Sequence, residues 1–178
     1  NPATGATLGT IDLAAHADTD GKPEMTALHL HDGKLYVALQ RLDQNAFFSP
    51  TDRSEIVVIN TTDNTIEKTL VTTALNPGTD FVFHKDLGLL IGETGFFGVN
   101  DGGIEAIDVI TGQSQGLIIS EATLGGDIIA FDLLSKDKGY AVVAGGTVCD
   151  NTAGTCQTDA TQLVSFNPTT GAKLATVF

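Results

Sequence analysis

One short pattern occurs four times in this chain and constrains its fold more than any other feature. Asn1-Pro2-Ala3-Thr4-Gly5-Ala6-Thr7-Leu8 returns near the end as Asn167-Pro168-Thr169-Thr170-Gly171-Ala172-Lys173-Leu174. Looser copies follow Val57-Val58-Ile59-Asn60 and Ala106-Ile107-Asp108. The anchors Asn1, Asn60, Asp108 and Asn167 stand 48 to 59 residues apart. An Asn or Asp suits such an anchor, because its side chain accepts a hydrogen bond from the backbone two residues on and so starts a turn. Each anchor therefore ends one apolar strand and opens a polar turn into the next.

A second set lies between the anchors. Leu28-His29-Leu30-His31-Asp32-Gly33-Lys34-Leu35-Tyr36-Val37, Phe81-Val82-Phe83-His84-Lys85-Asp86-Leu87-Gly88-Leu89-Leu90 and Leu133-Leu134-Ser135-Lys136-Asp137-Lys138-Gly139-Tyr140-Ala141 each read as strand, tight turn, strand. Patterns of helical period are missing, whereas short strands and turns recur. Each repeat then holds four strands, a to d, and four antiparallel strands every 48 to 59 residues is the spacing of a β-propeller blade. The predicted fold is all-β, with about three four-stranded blades over 12–70, 71–118 and 119–178. Residues 1–13 are expected to be the outer strand of a preceding blade. Propellers close with about four to eight blades, so three blades and one strand predict part of a larger propeller. Its remaining blades would be supplied by the same parent protein or by a second chain.

Composition narrows the partners. Nine Lys and Arg stand against 22 Asp and Glu, a formal charge of −13 that disfavours nucleic acid and anionic lipid. Hydrophobic residues at 42% and charged ones at 17% exclude a disordered chain. No apolar run approaches the length of a membrane-spanning helix.

The stretch Asp32-Gly33-Lys34-Leu35-Tyr36-Val37, followed by Ser54-Glu55-Ile56-Val57-Val58-Ile59-Asn60-Thr61-Thr62-Asp63-Asn64-Thr65-Ile66, resembles one unit of the bacterial YVTN-type β-propeller repeats. The family's Tyr-Val-Thr-Asn reads Tyr36-Val37-Ala38-Leu39 here. The resemblance implies propeller blades and a secreted, periplasmic or cell-surface protein.

In a blade, the a–b and c–d turns leave one end, and the b–c and d–a connections leave the other. Here the first kind is short, while the b–c connections at 40–54, 92–103 and 144–161 are long. Long loops on a rigid sheet are where binding residues collect. Two of these loops are alike: Ala46-Phe47-Phe48-Ser49-Pro50-Thr51-Asp52 and Gly95-Phe96-Phe97-Gly98-Val99-Asn100-Asp101. Phe47, Phe48, Asp52, Phe96, Phe97 and Asp101 are the candidate ligand-binding set, an aromatic rim for a protein, peptide or carbohydrate. Their repetition favours a second reading, in which the rings wedge between blades and the carboxylates cap turns.

The third loop carries both cysteines, Cys149 and Cys156, at a spacing that suits a disulfide-closed hairpin. Closing that ring would remove about 2.5 kcal/mol of unfolded-state entropy and implies an oxidising compartment. Two Cys without a nearby His make a poor zinc site. Asp18-Thr19-Asp20-Gly21 has carboxylates that suit calcium at Asp18 and Asp20, although it lacks the other ligands of a calcium loop and turn formation is the favoured reading. Asp43, Asp52 and Asp101 offer further carboxylates at the same end. His29 and His31 share a strand face, but His31 and His84 hold equivalent repeat positions, which points to structure. No catalytic motif such as Gly-x-Ser-x-Gly or His-Glu-x-x-His occurs. The expected function is a non-enzymatic binding or scaffold module. The alternative is a propeller enzyme of lactonase, lyase or quinoprotein-like type, with its site on the long-loop face.

Overall fold

Sixteen strands follow one another in this computed structural model, which describes residues 1–145, 147–150, 155–158 and 160–178, with 147–150 and 155–158 described by backbone alone. The first repeat gives β1 (Met25–His31), β2 (Lys34–Leu39), the short pair β3 (Leu42–Asp43) and β4 (Ser49–Pro50), then β5 (Glu55–Asn60) and β6 (Thr65–Val71). The second gives β7 (Val82–His84), β8 (Gly88–Glu93), β9 (Gly103–Asp108) and β10 (Gln113–Ser120). After a single α-helical turn, α1 (Glu121–Leu124), come β11 (Asp127–Ser135), β12 (Lys138–Ala144), β13 (Thr147–Asp150), β14 (Thr155–Thr158), β15 (Gln162–Asn167) and β16 (Ala172–Thr176). The large sheets run β1-β2-β5-β6, β7-β8-β9-β10 and β11-β12-β15-β16, antiparallel throughout. These are the expected blades, and β3–β4 and β13–β14 are small hairpins inside the first and third b–c connections.

The anchor chemistry is repeated at every copy. The Asn60 Oδ1 accepts from Thr62 N at 2.8 Å, that of Asp108 from Ile110 N at 2.8 Å, and that of Asn167 from Thr169 N at 2.9 Å. Four residues after each anchor, Asn64, Gly112 and Gly171 close the turn by donating N–H to the anchor carbonyl. All three have φ between 58° and 66°, the left-handed region that Gly and Asn enter at least cost. Thr61 N–H and Oγ1 both reach Gly33 O, and Thr169 Oγ1 reaches Lys136 O, so a–b and c–d turns share one end.

The leading segment differs from expectation. Asn1 makes the same turn, with Ala3 N on its Oδ1 at 3.0 Å and Gly5 N on its carbonyl at 2.8 Å. No strand follows, however, and residues 7–13 pair with no sheet. Ile11 and Leu13 lie instead against Val37, Leu39, Val57 and Ile59, on the outward face of the first sheet.

Alternation along the strands sends side chains to both faces, which stacks the sheets face to face. Tyr36, Ala38, Ile56 and Val58 of the first sheet meet Leu89, Ile91 and Ile107 of the second. Leu90, Ile104 and Ala106 on the opposite face of that second sheet meet Ala141, Val143, Val164 and Phe166 of the third. The second sheet is therefore buried on both sides, and so Leu89-Leu90-Ile91 is one unbroken apolar run. Among the described residues no helix is long and apolar enough to cross a membrane.

Candidate functional site

The b–c loops and d–a connections gather at the end opposite the tight turns, where several buried charged groups also lie. Around the first loop, Glu55 is the hub. Its Oε1 accepts from Arg41 Nη1 at 2.9 Å and Arg53 Nε at 2.7 Å, and its Oε2 contacts His16 Nδ1 at 2.8 Å. Burial pushes the Glu55 carboxyl up, but the bonds from Arg53 and His16 and the Arg41 charge prevail and leave it lowered. Asp52 pairs with Arg53 at 2.9 Å and Arg41 at 3.4 Å, so its role is to hold this network.

The aromatic pairs do not wedge between blades. Phe47 is 97% exposed, Phe48 56%, Phe96 41% and Phe97 78%, and among the described residues none of these rings stacks on another ring. The packing reading is thus corrected: the rings lie exposed at the loop end, Phe97 at the rim of the third sheet beside Ile129 and Ala144. Asp101, expected to cap the turn after it, bonds back into its own loop, its Oδ1 accepting from Phe96 N at 2.9 Å. The two loops share letters but not conformation. Phe47 and Phe48 both have φ of 58°, while in the second loop the left-handed positions are Gly95, Gly98 and Asn100. Two consecutive phenylalanines in that region are costly, about 1–2 kcal/mol each.

Asp18 and Asp20 come together with Glu24, one carboxylate oxygen of each lying within 4.8 Å of the others. Burial raises Asp18, partly offset by its bond from Asp20 N, whereas bonds from Gln44 N and Lys22 N lower Asp20. Three oxygens suit a hard cation, which takes six to eight in all. Asp43 instead caps the loop through Asn45 N at 2.8 Å. His29 and His31 pack on Phe81 and Phe83 of the second sheet, with His31 and Phe83 centroids 4.1 Å apart. The His84 ring accepts from Asp86 N, a turn role like that expected. The disulfide assigned to Cys149 and Cys156 concerns side chains outside the described residues; by backbone register the two residues face each other across β13–β14.

Four carboxylates that sequence reasoning did not single out complete this end. Glu93 and Glu105 lie fully buried between the first and second sheets. Thr73 N donates to Glu105 Oε2 at 2.7 Å and Ala74 N to Glu93 Oε2 at 2.8 Å, while both Oε1 atoms lack a donor. Burial, and then the adjacent Glu105 carboxyl, raise Glu93 well above the ordinary carboxylate range. Glu121 takes N–H bonds from Gly102 at 2.9 Å and Ile128 at 2.8 Å, yet burial lifts it to about 7, aided by the charges of Asp127 and Asp101. Asp127 receives Gly98 N on Oδ2 at 2.7 Å, and its Oδ1 has no donor. The one sequence signal for Glu93 and Glu105 was a charge inside an apolar strand, as in Ile104-Glu105-Ala106-Ile107.

A cleft of about 250 Å³ opens beside Asp127, lined by Gln40 of the first repeat, Thr94 and Phe97 of the second, and Asp127, Ile129 and Ala144 of the third among others. Gln40 Nε2 donates to the buried Asn76 Oδ1, which ties the first repeat to the second at this point.

No protein-family model matches the chain, and no curated protein matches it. Among solved structures it is similar to the WD40 domain of Pan2 from Neurospora crassa, with 14% identity and a TM-score of 0.47. That match covers 86% of this chain and 38% of the other, so the chain spans well under half of the Pan2 domain's length.

Proposed function

We propose that this chain is a recognition module built from propeller blades, a binding or scaffold unit that holds a protein or peptide partner on its long-loop end. The observation that carries the reading is the pair Phe47–Phe48. Both rings are exposed and both backbones are left-handed, so the chain bears strain there that no burial offsets. Strain of this kind is retained where a side chain must be presented, and exposed aromatic rings are what interfaces enrich. Phe97 adds a third largely exposed ring on the neighbouring loop.

Kinship with the YVTN-type repeats and a secreted, periplasmic or cell-surface setting belong to the same proposal. So does a Cys149–Cys156 disulfide, which the facing register of the two residues supports. Calcium at Asp18 and Asp20, with Glu24 as a third carboxylate, would brace the connection beside the first loop. Added calcium should then raise the melting temperature, and indifference to both calcium and chelator would remove that metal.

The test of the recognition face uses the immobilised chain against envelope and culture-supernatant fractions of the source organism. A partner held by the wild type should be lost with Phe47→Ser combined with Phe97→Ser. Equal capture by wild type and variant would overturn the reading.

A further inference from the structure

We propose that the cleft between the second and third sheets at the long-loop end receives one cationic side chain of the partner, a Lys ammonium or Arg guanidinium, with the Asp127 carboxylate as counter-ion and the Phe97 ring as wall. This rests on the recognition-face reading and names the chemistry that the face selects.

The first argument is an unfinished hydrogen-bond account. Asp127 is 8% exposed, Gly98 N occupies its Oδ2, and its Oδ1 has no donor. A carboxylate oxygen closed off from solvent without a donor is unfavourable, and buried charges are ordinarily paired. Among the described residues the chain offers no cation in the cleft lining. Neither Lys, Arg nor His lines the cleft, and the third b–c loop, 145–161, contains none of the three. Asp127 and Asp101 both act on Glu121 as negative charges, and the Lys173 ammonium nearby is held on Leu124 O at 2.6 Å. The second argument is size. About 250 Å³ is below the roughly 300 Å³ at which clefts for drug-sized ligands begin, and it is room for one long side chain.

The walls match such a guest. Phe97 is 78% exposed and offers a ring face to a cation, while Ile129, 51% exposed, can cover the methylene stem. Gln40 commits its Nε2 to Asn76, which leaves its carbonyl oxygen for a second N–H of the guest. The chain's charge of −13 would attract a basic segment and enhance its encounter rate.

The test titrates the isotope-labelled 178-residue chain at low ionic strength with three capped pentapeptides, Gly-Gly-X-Gly-Gly, where X is lysine, arginine or norleucine. The amide signals of Phe97, Gly98 and Ile128 should shift and saturate with the lysine and arginine peptides and stay still with norleucine. Asp127→Asn keeps an oxygen for Gly98 N and should weaken binding by about tenfold or more. Phe97→Ala, at an exposed position that does not endanger folding, should weaken it by about twofold to fivefold. Equal response to norleucine, unchanged binding by both variants, or the absence of saturable shifts would overturn the proposal. So would calcium moving the same signals in preference to the lysine peptide. Silent peptides with partner capture still dependent on Phe47 would remove this assignment alone; capture indifferent to Phe47 and Phe97 would remove the recognition face itself.

Discussion

Glu93 and Glu105 show how much one residue can hold back from stability. Each places one oxygen on a backbone N–H of the 72–76 connection and leaves the other buried without a donor. A proton on Glu93 resolves the conflict, which is the direction in which burial and the Glu105 carboxyl already push it. The sign follows from linkage: a carboxyl raised on folding binds its proton more tightly in the native state, so stability is fullest below the unfolded value near 4.5 and falls as pH climbs through the raised one. Glu121 adds to the same slope between about 4.5 and 7. In Glu93→Gln the amide oxygen can keep Ala74 N while its N–H reaches Glu105. That variant should gain about 1–3 kcal/mol at neutral pH and lose part of the alkaline decline. Urea midpoints across this pH window measure both, and a variant as steep as wild type would contradict the paired-acid account. A second residue-scale prediction concerns Phe47. Phe47→Gly should raise stability by about 1 kcal/mol, since glycine enters the left-handed region without strain, while partner capture declines. A loss of stability in denaturant unfolding would mean that the ring packs more than its exposure implies.

At the scale of elements, what the sequence made legible was what its neighbours in sequence decide. An Asn or Asp turn involves five residues, so Asn60, Asp108 and Asn167 announced their strands and the turns between them. The blades followed from those turns. The buried carboxylates were not legible, because the backbone N–H groups that Glu105 and Glu93 do meet belong to a connection 19 to 32 residues away. The cleft was hidden for the same reason: Gln40, Phe97 and Asp127 meet only after three sheets have stacked. The likeness of the Phe47 and Phe96 loops was visible as letters, yet Pro50 and the glycines at 95 and 98 steer the two backbones apart. Packing between strands gives a test at this scale. Gly139 lies opposite Phe166 across β12–β15, and a Cβ there would sit 2.6 Å from Phe166 Cζ and 2.7 Å from Leu133 Cδ2. The ring fills the space that the glycine vacates. Gly139→Ala should therefore cost about 1–3 kcal/mol through overpacking, and Phe166→Leu in that background should recover part of the loss. Strictly additive effects in the double-mutant cycle would break the coupling that this packing requires.

For the molecule as a whole, the outward faces of the first and third sheets are only partly covered among the described residues, and they differ from each other. On the first sheet, Ala27, His29 and His31 of β1 turn toward the second sheet, while Leu28 and Leu30 turn outward, 70% and 64% exposed. Ile11 and Leu13 cover part of that outward face and leave an apolar hollow of about 260 Å³ beside Leu28, Leu35 and Val37. On the third sheet, Phe131 and Leu133 pack inward, whereas Leu134 faces outward, 73% exposed. Within the chain, one blade's front meets the next blade's back twice, so the free back of the first sheet has the form that the free front of the third would meet. Propeller rings close with about four to eight blades, and exposed apolar faces of this kind mark interfaces. The expected outcome for the chain by itself is concentration-dependent self-association in sedimentation velocity. Leu28→Lys with Leu30→Lys should suppress it, because a lysine at each position places a charge where the neighbouring sheet would have to desolvate it. Leu134→Lys, on the third sheet's free front, should do the same if front meets back, whereas a back-to-back pair of first sheets would be indifferent to it. A chain that stays monomeric over the whole concentration range and unfolds in one cooperative step would show that Leu28, Leu30 and Leu134 are ordinary exposed surface, and the blade faces would need no partner.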